Sequence, residues 1–104
     1  MFESIKNLFS SEITDYAQLI KDGAIIIDVR SKGEYAGGHI PGSINIPVNQ
    51  LESNLQKLKD RNKAIITCCA SGARSASARN ILLSNGFTEV HNGGGWRSLQ
   101  IKIK

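Results

Sequence analysis

Long apolar runs are missing from this chain of 104 residues. No stretch approaches the ~20 consecutive apolar residues a helix needs to cross a bilayer, so no membrane partner is expected. The opening residues, Met1-Phe2-Glu3-Ser4-Ile5-Lys6, also lack the basic start and apolar core of an export signal. A cytoplasmic location is the expectation. Cysteine is scarce as well, with Cys68 and Cys69 adjacent and no third thiol. Neighbouring Cα atoms lie about 3.8 Å apart whereas disulfides prefer roughly 4.4–6.8 Å, so these two cannot bridge without strain. That removes a disulfide framework and suits a reducing compartment. The histidines, His39 and His91, fall at no finger-like spacing from the cysteines, so neither a metal site nor a cofactor is expected. Aromatic residues make up 6% of the chain and no nucleic-acid-binding motif accompanies its net charge of +4. Lys57, Lys59, Arg61 and Lys63, with Asp60 among them, read as a solvated turn, and the basic balance favours approach of small anions or an acidic partner.

The remaining composition, 40% apolar with glycine and proline as punctuation, describes a globular protein. The length fits one domain over 1–104, with its core at about 13–96, and leaves oligomeric state open. Thr14 is placed to cap a first helix in which Tyr16, Leu19 and Ile20 share a face, with Gly23 ending it. Residues 24–29 form a near-continuous apolar run, the pattern of a strand buried on both faces. Ser31-Lys32-Gly33-Glu34 has capping-box spacing, which predicts a short helix ending near Gly37-Gly38. Ser43 to Ile46 alternates like an edge strand closed by Pro47, and Leu51, Leu55 and Leu58 mark a helix. Ala64 to Cys68 reads as a second buried strand. It is followed by a helix with Ala76, Ala78, Ile81 and Leu82 on one stripe and Gly86 at its end. Phe87 to His91 is expected as a last strand, with Gly93-Gly94-Gly95 as a turn. Strands alternating with helices imply an α/β sandwich around a mainly parallel sheet.

The segment richest in chemistry is Cys69-Ala70-Ser71-Gly72-Ala73-Arg74. It runs from the end of a strand through small residues into a helix, so successive backbone N–H groups can turn inward as an anion-binding nest facing Cys69. A thiol of ordinary pKa, near 8.5, is only about 3% ionised at neutral pH; helix N-termini and neighbouring arginines raise the reactive thiolate fraction. Counted from Cys68, the same stretch is C-x5-R, the spacing of cysteine-dependent phosphatases and some arsenate reductases. That chemistry wants a general acid for its leaving group, and no aspartate is obviously placed for one. Cys68 is better read as a strand residue pointing into the sheet.

With Ser75 the loop reads C-x-x-G-x-R-S, and it resembles the active-site loop of the rhodanese-like sulfurtransferases. Ile27-Asp28-Val29-Arg30 looks like that family's strand-ending D-V-R, and Glu34 to Pro47 looks like its E-[FY]-x-x-G-H-I-x-G-A-x-N-[IL]-P stretch, with Ser43 in place of alanine. The resemblance runs from about Ile13 to Trp96. Near its end the chain departs from the family's G-G-x-x-x-W, having Gly93-Gly94-Gly95-Trp96. The resemblance implies a three-layer rhodanese-like sandwich and thiosulfate sulfurtransferase activity. Cys69 would take a sulfane sulfur from thiosulfate or a persulfide and pass it to a thiol, to cyanide or to a protein acceptor. Ala70, Ser71, Gly72, Ala73 and Arg74 would hold the small anionic donor. Asp28 and Arg30 would support the site as an ion pair, His39 would be a hydrogen-bonded structural residue, and Trp96 an apolar cover. Ser71 or Ser75 would cap the helix. The same cysteine also permits a sulfur-relay or binding module with negligible turnover.

Overall fold

Four short parallel strands are ordered β2-β1-β3-β4, so each connection between neighbours must cross over the sheet. The computed structural model describes residues 14–104; the opening Met1 to Lys6 stretch and Ile13, where the core was expected to begin, lie outside them. In chain order the elements are α1 (Tyr16–Lys21), β1 (Ile25–Asp28), α2 (Lys32–Ala36), β2 (Ile44–Asn45) and α3 (Val48–Leu51). A 3-10 turn (Glu52–Lys57) continues α3, followed by β3 (Ile65–Cys69), α4 (Ala73–Ser84), β4 (Val90–Gly95) and α5 (Trp96–Lys102). No helix among the described residues is long and apolar enough to cross a membrane.

Parity along the two central strands sorts their side chains between two cores. Ile27, Ile65 and Cys69 face a layer containing Leu51, Leu55, Leu58, Ala78, Leu82 and Phe87. Ile26, Ile66 and Cys68 face the opposite layer, with Leu99 and the partly buried Tyr16, Leu19 and Trp96. The adjacent cysteines therefore occupy opposite faces. Both central strands carry apolar side chains on each face, as a doubly covered parallel sheet requires.

The helix ends follow local chemistry. Ser31 and Glu34 close the expected capping box, the Ser31 side chain accepting from the Glu34 amide and the Glu34 carboxylate from the Ser31 amide. Gly86, at φ +90, ends α4: its amide donates to Leu83 and the Phe87 amide to Leu82, while the Phe87 ring buries beside Leu82. Three expectations are corrected. Asp15 rather than Thr14 caps α1, its carboxylate accepting from Gln18. The leucine-marked helix is a single α turn that runs into a 3-10 segment kinked at Asn54, although Leu51, Leu55 and Leu58 are all buried. Ala76 faces solvent, and Ser75 takes the buried position instead.

The largest difference concerns the glycines. Val90–Gly95 is the last strand, so the glycines lie within the sheet and Phe87 lies before it. Pairing with β3 shifts register between Thr67 and Cys69, the signature of a local irregularity. A Cβ at Gly93 would stand 2.8 Å from the Thr67 carbonyl oxygen and 2.9 Å from Ile66 and Leu99 carbon atoms. Only glycine lets β4 approach that closely while carrying the chain to α5. Gly93→Ala should therefore lower folding stability by about 1–3 kcal/mol. Gly33→Ala, in open space on α2, should leave it unchanged or raise it by up to about 1 kcal/mol. Denaturant midpoints of the two variants check this pair.

Candidate active site

The C-terminal ends of parallel strands are where open α/β sheets place their ligands, and here β3 ends on Cys69. The next three residues turn the chain into α4. Gly72 precedes the helix at φ +110, a conformation that glycine adopts without strain, and supplies no side chain to cap it. Neither Ser71 nor Ser75 caps α4, contrary to expectation, because the capping position falls on Gly72. The Cys69 sulfur takes that role. Its Sγ accepts from the Gly72 amide at 2.9 Å and from the Ser75 amide at 3.3 Å. Ser75 is the third helical residue, whose amide a capping oxygen normally satisfies. Negative charge on this sulfur is thus met by two amide dipoles and by the positive end of a 12-residue helix.

A polar chain, buried at Thr67 and Ser75 and reaching the surface at Asn92, fixes the start of α4 over the sheet. Thr67 Oγ1 lies 2.7 Å from Ser75 Oγ and donates to the Ser75 carbonyl, and Ser75 Oγ donates to Asn92 Oδ1 at 2.6 Å. Asn92 Oδ1 also accepts from the Gly94 amide. The three side chains tie β3, α4 and β4 together beside the sulfur. Sequence reading gave Thr67 and Asn92 no part in this, since they meet only when the sheet forms.

The Cys69 residue is 1% exposed, with most of its surface packed in the core. Above it the rim is made of small, exposed Ala70, Ser71 and Ala73. Cys68 lies on the other face, fully buried against Ile26, Ile66 and Leu99. Burial, reinforced by the Asp28 charge, pushes its thiol up to about 12, with Arg30 pulling weakly the other way.

Asp28 and Arg30 form the expected ion pair, both buried. Arg30 Nη2 donates to Asp28 Oδ2 at 2.7 Å and its Nε to Oδ1 at 2.9 Å. The pair holds the Arg30 guanidinium above its ordinary pKa, chiefly through the hydrogen bond to Asp28. Arg30 also donates to the carbonyls of Gly38 and Glu34 and stacks over Trp96, 4.7 Å from the ring centre. It joins the end of β1 to the turn after α2 and to α5. His39 Nδ1 sits 2.8 Å from the Tyr35 carbonyl, with the ring stacked on Tyr35. Trp96 packs on the second core, its ring edge against Gly38.

Arg74 makes a two-armed ion pair with Glu34, at 2.7 and 3.0 Å. Glu34 is thereby drawn into the site. The capping-box signal placed it on α2, but nothing local announces a partner forty positions later in the chain. Hydrogen bonds from Arg74 and Ser31 hold its carboxyl down to about 2.

A cleft of about 790 Å³ lies between α1 and β4 and contains neither cysteine. A smaller one of about 330 Å³, lined by Ala70, Gly95, Trp96, Arg97 and Ser98, adjoins the Cys69 loop. Among the described residues no cluster of three or more His, Cys, Asp or Glu side chains is arranged to hold a metal ion.

Comparison with known proteins agrees with this architecture. The chain is 39% identical over 82 residues to the uncharacterized protein YqhL of Bacillus subtilis, covering 78% of this chain and 64% of that one. It is 34% identical over 80 residues to the thiosulfate sulfurtransferase PspE of Escherichia coli, covering 75% of this chain and 77% of that protein. A solved structure described as a rhodanese with anions from E. coli superposes with a TM-score of 0.69 at 32% identity, covering 73% of this chain and 91% of that one. The rhodanese-like domain pattern matches residues 12–102. With a four-stranded parallel sheet, a cysteine closing its third strand and these relatives, the chain belongs to the rhodanese-like domain family.

Proposed function

We propose that the chain transfers a sulfane sulfur from thiosulfate or a persulfide donor to a thiophilic acceptor through a persulfide on Cys69. The observation that carries this reading is the convergence of the Gly72 and Ser75 amides on Cys69 Sγ at the start of α4. Relatives named as thiosulfate sulfurtransferases, and a neighbour described as a rhodanese with anions, support it. In the first step the thiolate attacks the outer sulfur of thiosulfate. A new S–S bond forms on Cys69, the bond to the sulfonate sulfur breaks, and its electron pair leaves with sulfite. In the second step an acceptor thiolate, or cyanide, attacks the outer persulfide sulfur and the Cys69 thiolate is released. Charge and atoms balance in both steps.

The loop amides, from Ala70 to Arg74, have a role like that of an oxyanion hole, stabilising a charge that moves between the cysteine sulfur and the sulfur beyond it. Because they belong to the backbone, they are in place before the donor arrives. Asp28 and Arg30 support the site by tying the end of β1 to the turn after α2 and to α5, and no cofactor is called for. The family match over 12–102 supports reading the stretch as one domain, and two free thiols suit a cytoplasmic setting. Relay of the same persulfide to a protein partner is favoured by one observation, the low exposure of Cys69, which shields a stored sulfur from solvent. A phosphatase reading needs Cys68 as nucleophile. Its position on the far face and its raised thiol pKa argue against that.

Thiosulfate treatment followed by intact-mass spectrometry should add one sulfur to the wild-type protein and to Cys68→Ala, and none to Cys69→Ser. Equal loading of Cys69→Ser, or loading on Cys68 alone, would overturn the assignment. The burial of Cys68 also fixes a pH dependence. A folded-state pKa raised from 9.0 to about 12 stabilises the protein below the unfolded value and is lost as pH rises through that interval. Stability should therefore fall through this alkaline range, and Cys68→Ala should show a shallower decline in denaturant titrations across it.

A further inference from the structure

Two of the cations near the Cys69 loop are held in ion pairs, while Arg97, in the cleft beside the loop, packs over the Trp96 ring and has no carboxylate partner among the described residues. Asp28 neutralises Arg30 at the end of β1, and Glu34 neutralises Arg74 at the start of α4. The two pairs differ in access. The first is buried, whereas the Arg74 and Glu34 side chains are 39% and 38% exposed, so water and solutes reach them. Arg74 is the second residue of α4, one position before the amide that donates to the sulfur. The Cys69 and Asp28 charges both act on its guanidinium, which lies above its ordinary pKa chiefly through the hydrogen bonds to Glu34. A cation so close to the nucleophile is the natural counter-charge for an incoming anion, yet both of its donating arms are committed to a carboxylate.

Glu34 is itself held from two sides. Its Oε1 accepts from the Ser31 amide and hydroxyl as well as from Arg74 Nη1, and Oε2 accepts from Nη2. The Ser31 cap thus aims the carboxylate at Arg74, and releasing Arg74 means breaking a two-armed, charge-assisted contact. A dianion arriving at Cys69 meets a nearby carboxylate and an already neutralised guanidinium. A donor of low net charge meets no such handicap.

We infer that Glu34 is a specificity residue that acts by holding Arg74, biasing Cys69 toward sulfur donors of low negative charge, alkyl persulfides, over dianionic thiosulfate. The inference rests on the sulfur-transfer reading above and adds the donor class. Glu34 is a positioning residue. It touches Arg74 and the cap of α2, and bonds to no reacting atom.

Glu34→Gln tests this because glutamine serves in a capping box as glutamate does, so the fold of α2 is kept while the charge is removed. The measurement is the second-order rate of Cys69 sulfur loading, by mass spectrometry, with thiosulfate and with a zwitterionic cysteine persulfide. Freed from its carboxylate, Arg74 should speed thiosulfate loading about three- to fivefold, the scale of a half-exposed pair, and leave the persulfide rate within about twofold. The thiosulfate rate of the variant should also fall more steeply with added salt than that of wild type. In the background of Arg74→Gln, adding Glu34→Gln should leave the thiosulfate-to-persulfide ratio nearly unchanged. A ratio unaltered by Glu34→Gln alone, or altered equally with Arg74 absent, would overturn the inference while the sulfur-transfer reading stands. Failure of the wild type to take sulfur from either donor would overturn both.

Discussion

Two backbone amides pointing at one sulfur atom are the contact on which the remaining site geometry depends. The Gly72 and Ser75 N–H groups reach Cys69 Sγ only because the chain leaves β3, turns at a left-handed glycine and enters α4 within three residues. The start of any helix has amides without intrahelical partners, and most helices satisfy one with a side-chain oxygen. Here the sulfur fills that place. The contact that caps the helix is also the one that sets the surroundings of the thiol, so the loop cannot tighten or relax without altering the electrostatics at the sulfur.

Fixing that contact takes structure well beyond the loop. Thr67, Ser75 and Asn92 lock the first turn of α4 to two strands through side-chain hydrogen bonds, and among the described residues no buried side-chain polar atom is left without a partner. The glycines of β4 let that strand lie against β3 at a separation any side chain at Gly93 would prevent. On the opposite side, the buried Asp28–Arg30 pair carries hydrogen bonds to the turn after α2. Breaking such a pair by removing one partner costs about 3–5 kcal/mol, which makes it an anchor for local geometry rather than a source of net stability.

Much of this was legible in the residues. The strands around Ile27 and Ile66, the capping box at Ser31, the small-residue loop after Cys69 and the Gly86 helix end are all governed by short-range rules, and the structure follows them. The Asp28–Arg30 pair was accessible for the same reason, being two residues apart on one strand end. What the sequence did not display were contacts whose partners lie far apart in the chain. Glu34 with Arg74, and Thr67 with Ser75 and Asn92, meet only because the sheet order β2-β1-β3-β4 brings their elements together. The glycine run failed differently. Three consecutive glycines satisfy a turn and a tightly apposed strand equally well, and the choice depends on what lies alongside.

The placement of Cys68 and Cys69 on opposite faces of one strand has a chemical corollary. A persulfide is readily intercepted by a nearby thiolate, which would expel hydrosulfide and leave a dead-end disulfide. Although the two sulfurs belong to consecutive residues, the strand backbone stands between them, and the inner thiol keeps its proton. Under the proposed sulfur transfer, the sheet would act as an insulating wall, letting a second thiol sit beside the first in the chain without short-circuiting it.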